Sequence, residues 1–229
     1  MKRGNRLSIN HYSVRQLALE QLVEACRQLG ISYVGLWREQ VHEVGIERVR
    51  RLFDESGLNV SSLCRGGFFP YDDAEQRRKS IEENRKVIDE AVALGTPLVV
   101  LVCGGIAAAG LSASREMVAA GIANLVPYAS ERGIRLGVEP LHPMFAADRS
   151  VIVTLAQANE LVAHFPADVV GIVVDAYHVW WDPALETEIR RATGRIFGFH
   201  LSDCIVPLPD IQRTRTNDNE HPRTTTSAR

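Results

Sequence analysis

The chain has 229 residues, 45% of them hydrophobic and 24% charged, and a formal net charge of −2. That length holds one large domain or just two, and the near-neutral balance gives no reason to expect nucleic acid or an anionic membrane surface as a partner. The longest apolar run, Pro97 to Cys103, is far short of the roughly 20 residues that span a bilayer, and the N-terminus leads into no signal-type apolar segment, so a cytoplasmic location without a membrane partner is expected.

Arg6 to Asn10 reads as a short strand. Ser13-x-x-Gln16 has the form of a capping box, after which Val14, Leu17, Leu22, Cys26 and Leu29 recur at helical spacing until Gly30. Ile31 to Trp37 is strand-length, a helix is predicted from His42 to Ser56, and Leu58 to Cys64 is a third strand. Glu75 to Leu94 is the next helix and Pro97 to Val102 the next strand. Ser112 to Arg132 is a helix bent at Pro127, where proline removes an internal hydrogen bond. Ile134 to Glu139 is a fifth strand, Thr154-x-x-Gln157 opens a helix to Phe165, and Val169 to Val174 is a sixth strand. Asp182 with Pro183 starts another helix, and Arg195 to Leu201 is a seventh strand.

These strands are apolar throughout rather than alternating, as expected of a parallel sheet covered by helices. Either a barrel or an open doubly wound sheet would satisfy that pattern. The positions of the polar groups favour the barrel: His11, Trp37-Arg38-Glu39, Cys64-Arg65-Gly66-Gly67, Cys103-Gly104-Gly105, Glu139, Asp175 and His200 all fall at C-terminal strand ends, which a barrel gathers round one mouth. The fold class predicted is α/β, a (β/α)8 TIM-barrel type that is incomplete, with seven strands and the eighth strand and helix missing. Residues 1–210 form the barrel. Residues 211–229, rich in Thr, Arg and Asn, cannot bury enough apolar surface to offset ordering and are predicted to be a disordered tail. Cys26, Cys64, Cys103 and Cys204 show no C-x-x-C spacing and are expected to be free thiols.

Glu139 follows the strand Arg135-Leu136-Gly137-Val138, so its carboxylate should enter the mouth. Asp175 has the same geometry one strand on, with His178 three residues further, and His200 ends the next strand in Gly198-Phe199-His200-Leu201. Singly, each has an ordinary structural explanation. Together Glu139, Asp175 and His200 make an O,O,N donor set suited to Mn²⁺, Mg²⁺, Co²⁺ or Zn²⁺. Loop 66–70 and the Gly104-Gly105 turn should shape the pocket, and no phosphate-binding loop is evident.

The segments Gly-Val-Glu139-Pro-Leu-His142-Pro, Val-Val-Asp175-Ala-Tyr-His178-Val-Trp-Trp-Asp-Pro and Gly-Phe-His200-Leu-Ser-Asp203 resemble the sugar phosphate isomerase/epimerase family of xylose-isomerase-like TIM barrels. That family includes inosose isomerases and dehydratases and ketose 3-epimerases. The resemblance implies a divalent metal held by Glu139, Asp175 and His200, with His178 facing the substrate or an outer-shell water. It also implies a fourth ligand glutamate at the end of an eighth strand. The only glutamate beyond His200 is Glu220, with no apolar strand before it, so the chain reads as truncated there. Open strand edges would then invite association into a homo-oligomer, or fraying, and two-base epimerisation should be lost while one-base chemistry survives.

The activity this implies is isomerisation or epimerisation of a small polyhydroxylated carbonyl compound, a sugar or an inositol-derived ketone. Glu139 is the general base as well as a ligand, His178 is its catalytic neighbour, and Trp37, His142 and Asp203 contact the substrate. Asp203 and also Arg38 are the weaker candidates for substrate contact, each equally suited to a surface or loop salt bridge. Two alternatives stand beside this reading: a metal-dependent endonuclease of the abasic-site type, against which the lack of a basic stripe counts, and an inactive truncated barrel that still binds metal or ligand.

Overall fold

The computed structural model describes residues 7–202. The polar tail, Asp203 and Cys204 lie outside the described residues. Seven strands, β1 (Ser8–Asn10), β2 (Tyr33–Trp37), β3 (Asn59–Gly67), β4 (Leu98–Val102), β5 (Arg135–Val138), β6 (Val170–Asp175) and β7 (Ile196–His200), pair in sequence order. Every pairing is parallel. Among the described residues β1 pairs only with β2 and β7 only with β6, so the sheet is open between its first and last strands.

From β2 to β6 both faces of this sheet are largely buried, which is why those strands read as continuous apolar runs, whereas β7 is partly exposed, with 61% of Phe199 accessible. Val34, Leu36, Val99, Leu101, Leu136, Val138, Ile172 and Val174 belong to the large core shared with the helices. Their sequence neighbours Leu98, Val100 and Val173 face the other way and pack with Cys64, against which Trp37 and Phe197 also lie. Side chains from β2, β3, β4, β6 and β7 meet in that second cluster, with Gly137 of β5 facing Val173 and Leu98, so the sheet curls around it as a TIM-type barrel does.

The covering helices are α1 (Leu19–Leu29), α2 (Arg38–Val44), α3 (Ile46–Ser56), α4 (Ala74–Leu94), α5 (Leu111–Glu131), α6 (Leu155–Val162), α7 (Ala176–Val179) and α8 (Leu185–Arg191). Asp73 caps α4 by accepting from the Gln76 amide at 2.8 Å, and Thr154 caps α6 by accepting from the Gln157 amide at 3.2 Å. The helix predicted through Pro127 is present and continuous.

Four boundaries differ from the sequence reading. Ser13-x-x-Gln16 does not open a helix: His11–Val14 is a 3₁₀ turn fastened by the Asn10 side chain, and α1 starts at Leu19, where Gln21 Oε1 accepts from the Ala18 amide at 3.0 Å. The single helix predicted over His42 to Ser56 is two helices, because Gly45 sits at φ +93° and turns the chain between them. Asp182 is not the cap of α8. Its carboxylate accepts from the amides of Ala184 and Leu155, tying this turn to the start of α6, and α8 begins at Leu185, three residues on. The short helix α7, capped by Asp175 itself, was not predicted.

Candidate metal centre at the barrel mouth

The parallel register explains how three distant residues meet. Asp175 lies directly opposite His200 across the β6–β7 pair, and Glu139 is one residue past β5, its amide tied to the Leu101 carbonyl of β4 at 3.1 Å. One donor atom from each of Glu139, Asp175 and His200 lies within 4.8 Å of the other two. His200 Nδ1 is 2.9 Å from Glu139 Oε1 and 3.8 Å from Asp175 Oδ2. Glu139 is buried, with 6% of its surface exposed, and the other two are half-buried.

Two carboxylates gathered this closely away from water repel each other unless a cation lies between them. The imidazole supplies part of that compensation when protonated. Burial pulls the His200 pKa down, but the hydrogen bond and charge of Glu139, with the charge of Asp175, outweigh it and leave it above the ordinary value of 6.5. Asp175 Oδ1 is committed elsewhere, accepting from the Tyr177 amide at 2.8 Å and from Ser202 Oγ at 2.6 Å. Its Oδ2 is thereby turned toward His200. Two hard oxygen donors and one imidazole, converging and already oriented, fit a divalent ion of the Mn²⁺, Mg²⁺, Co²⁺ or Zn²⁺ group.

His178 stands beside this cluster on α7. Its Nδ1 accepts from the His142 amide at 3.2 Å, so the neutral ring carries its proton on Nε2. Burial lowers its pKa against the opposing charges of Glu139 and Asp175, which keeps it neutral near pH 7. The rings of Tyr177 and Phe145 meet it edge-on, at 5.1 and 5.7 Å between centroids. His142 accepts from the Met144 amide through Nδ1 at 3.3 Å, and its ring meets Trp181 edge-on.

Trp37 is on the same rim but is not a bare platform. Tyr12 stacks on it at 4.2 Å, its indole N–H donates to Asn10 Oδ1 at 2.9 Å, and the Arg65 guanidinium lies over the ring at 5.7 Å. Arg38 takes the structural option: it donates to both carboxylate oxygens of Glu90, at 2.5 and 2.7 Å, and to Glu83 at 2.9 Å. Sequence reasoning missed Ser202, although it lies two residues from His200 in a segment already singled out. It also missed Tyr12 and Asn10, which no local pattern ties to Trp37.

Cys26, Cys64 and Cys103 are free and buried. Burial pushes the Cys103 thiol up to about 12 and Cys64 well above its ordinary value, the latter helped by the charge of Glu139. Thiolate is the reactive form, so iodoacetamide at about pH 8 should leave Cys64 and Cys103 unmodified in the folded protein and label both after denaturation. Peptide mass spectrometry of the two samples checks this.

A parallel barrel-type sheet with an acid–acid–imidazole cluster at its C-terminal mouth defines the class. A family model described as "Xylose isomerase-like TIM barrel" matches residues 23–223, and the chain belongs to that family. Protein SMc04130 from Sinorhizobium meliloti 1021 is 42% identical, with a TM-score of 0.85 over 92% of this chain and 77% of that one. The IOLI protein, solved with a bound zinc atom, is 20% identical (TM-score 0.74, covering 86% and 73%). The 3-keto-D-glucoside 4-epimerase YcjR from E. coli, in its apo form, is 17% identical (0.73, covering 87% and 79%). These two likenesses carry the fold alone. Among curated proteins none matches.

Proposed function

We propose that the protein is a divalent-metal-dependent isomerase or epimerase of a small polyhydroxylated carbonyl compound, a sugar or an inositol-derived ketone. The observation that carries this reading is the convergence of Glu139, Asp175 and His200 within 4.8 Å at the barrel mouth. Membership of a family whose fold is shared by a zinc-binding protein and a sugar epimerase supports it.

Glu139, Asp175 and His200 would hold the ion, with Ser202 and the Tyr177 amide fixing the orientation of Asp175. A divalent ion bound there supplies Lewis-acid polarisation to a neighbouring carbonyl. Glu139, the most buried of the three, takes the proton from the carbon next to the carbonyl and returns it to the former carbonyl carbon, while the proton of the neighbouring hydroxyl passes to the former carbonyl oxygen, so that one residue serves as base and then as acid. His178 Nε2–H donates to a substrate oxygen, its ring held in place by the His142 amide. His142 and Trp37 are assigned to substrate binding, Trp37 through the Tyr12 and Arg65 side chains packed on it.

The test is to strip the protein of metal, restore Mn²⁺, and follow solvent exchange of the proton next to the carbonyl in a panel of ketoses and inososes. Metal-dependent exchange with at least one compound is expected; no exchange with any compound and any of the four metals overturns the reading.

A pH prediction follows from His200. Its raised pKa in the metal-free protein means that protonated His200 stabilises the fold fully below about pH 6.5, and this contribution is lost as pH rises through the folded-state pKa. A metal ligand must be deprotonated, so protons and metal compete for the same nitrogen. The rise in melting temperature on adding Mn²⁺ should therefore grow from about pH 6 to about pH 8. Thermal melts with and without Mn²⁺ across that range check it, and a shift independent of pH would remove His200 from the ligand set.

A further inference from the structure

We infer that the hollow beside the barrel mouth, between the end of β3 and the first half of α4, is an oxyanion subsite. It receives the carboxylate or phosphate of an acidic polyhydroxylated substrate on Arg65, with Lys79 as a second cation. The inference rests on the reaction proposed for the neighbouring metal centre and names its substrate class.

Arg65 is an inserted residue. Cys64 lies opposite Val100 and Gly66 opposite Leu101, so β3 has one residue more than β4 at this point. Such bulges re-aim a side chain near functional sites. Cys64 stays on the concave face with Leu98, Val100 and Val173, whereas a Cβ on Gly66 would point at Asn84, Leu101 and Val99 beneath α4. Arg65, between them, lies across the aromatic rim, 5.7 Å over Trp37 and 5.2 Å over Phe68.

The loop that follows is fastened from α4. Asn84 accepts from the Gly67 amide at 2.6 Å and donates to the Gly67 carbonyl at 2.8 Å, while Ser80 Oγ donates to the Phe68 carbonyl at 2.9 Å. Phe68 is held at φ +56°, a region that non-glycine residues seldom adopt and that surrounding structure must enforce. The bulge and the clamped loop thus present one guanidinium in a fixed place.

The hollow measures about 390 Å³, and its charged lining residues are Arg38, Arg65, Lys79 and Glu83. Two of these satisfy each other: Glu83 takes Arg38 at 2.9 Å and also Lys86 at 3.2 Å, while Arg38 is held by Glu90 as well. The other two are only loosely paired. The ion pairs of Arg65 with Glu39 and of Lys79 with Glu75 stand at 3.8 and 3.9 Å, beyond hydrogen-bonding distance, and Glu75 is already engaged by Arg78 at 2.6 Å. Exposed pairs of that kind contribute almost nothing. What remains is a planar guanidinium fork and an ammonium beside an opening, the donor geometry that suits a carboxylate or phosphate. Arg65 also borders the barrel mouth: its guanidinium lies over Trp37, which packs with Cys64 and Val173 on the concave face of the sheet. The subsite recognises an anion without any phosphate-binding loop.

The experiment is calorimetric titration of the metal-loaded protein with inorganic phosphate, D-glucuronate and, as the uncharged control, D-glucose. Wild type should bind one or both anions at least about tenfold more tightly than glucose, the scale of one charged hydrogen bond. R65M should abolish that preference, R65K should keep part of it, and K79M should weaken it by less. An unchanged Mn²⁺ affinity in R65M shows that the fold and the metal centre are intact. The phosphate and glucuronate arms decide which oxyanion the site takes. Equal binding of charged and uncharged compounds by wild type, or an anion preference that survives in R65M, overturns the subsite. Arg65-dependent anion binding in a protein that exchanges no substrate proton would sustain the subsite and refute the reaction. Proton exchange with uncharged sugars and no anion preference would do the reverse.

Discussion

Glu139→Gln should lower metal-dependent proton exchange by about 10²- to 10⁴-fold, the range that a positioned general base contributes. The substitution keeps the size of the side chain and leaves an oxygen for His200 Nδ1, which now bonds Glu139 Oε1 at 2.9 Å. It removes the charge that both proton abstraction and metal binding require. Mn²⁺ affinity should fall with it, by at least the 10- to 100-fold typical of losing even an outer-shell partner. The two roles separate at saturating Mn²⁺. If Glu139 is both ligand and base, exchange stays low when the metal site is filled; if saturating metal restores exchange, Glu139 is a ligand only and the base is another residue.

Gly67→Ala should cost the fold about 3–5 kcal/mol, combining the strain of an unfavourable backbone region with overpacking at a site that cannot relax. Gly67 is at φ +109°, which L side chains rarely adopt, and a Cβ there would collide with the carbonyl oxygen of Val102 on the neighbouring strand. The adjoining backbone cannot easily yield, since Asn84 grips both the amide and the carbonyl of Gly67. Against a total stability of about 5–15 kcal/mol this is a large fraction. A fall in the urea midpoint at unchanged slope measures it; a change below about 1 kcal/mol would mean that the loop is not held as described.

Much of the fold was legible because burial on both sides of a parallel sheet leaves a plain mark in the chain. Runs such as Leu98–Val102 are buried along their whole length, and all seven predicted strands are present. Helix starts were less legible. The Ser13 capping pattern and the Asp182-Pro183 pair both look like helix openings, but their side chains and backbone serve tight turns, and only the packing of neighbouring elements decides between the two uses. Gly45 is one of many glycines in the sequence, and nothing local marks it as the one that splits a helix. That Glu139, Asp175 and His200 converge at one mouth was legible because each ends or follows an apolar strand. The groups that orient them were not. Ser202 reaches Asp175 across 27 residues of sequence, Asn84 reaches Gly67 across 17, and Trp37 reaches Asn10 across 27, and no periodicity encodes such pairings.

The central claim is that Glu139, Asp175 and His200 share one divalent ion. Crystals grown with Mn²⁺ and measured at a wavelength where manganese scatters anomalously test it most directly. The account predicts an anomalous peak within bonding distance, about 2.0–2.3 Å, of an oxygen of Glu139, an oxygen of Asp175 and a nitrogen of His200. No peak at that position, with Mn²⁺ bound elsewhere or not at all, would contradict it.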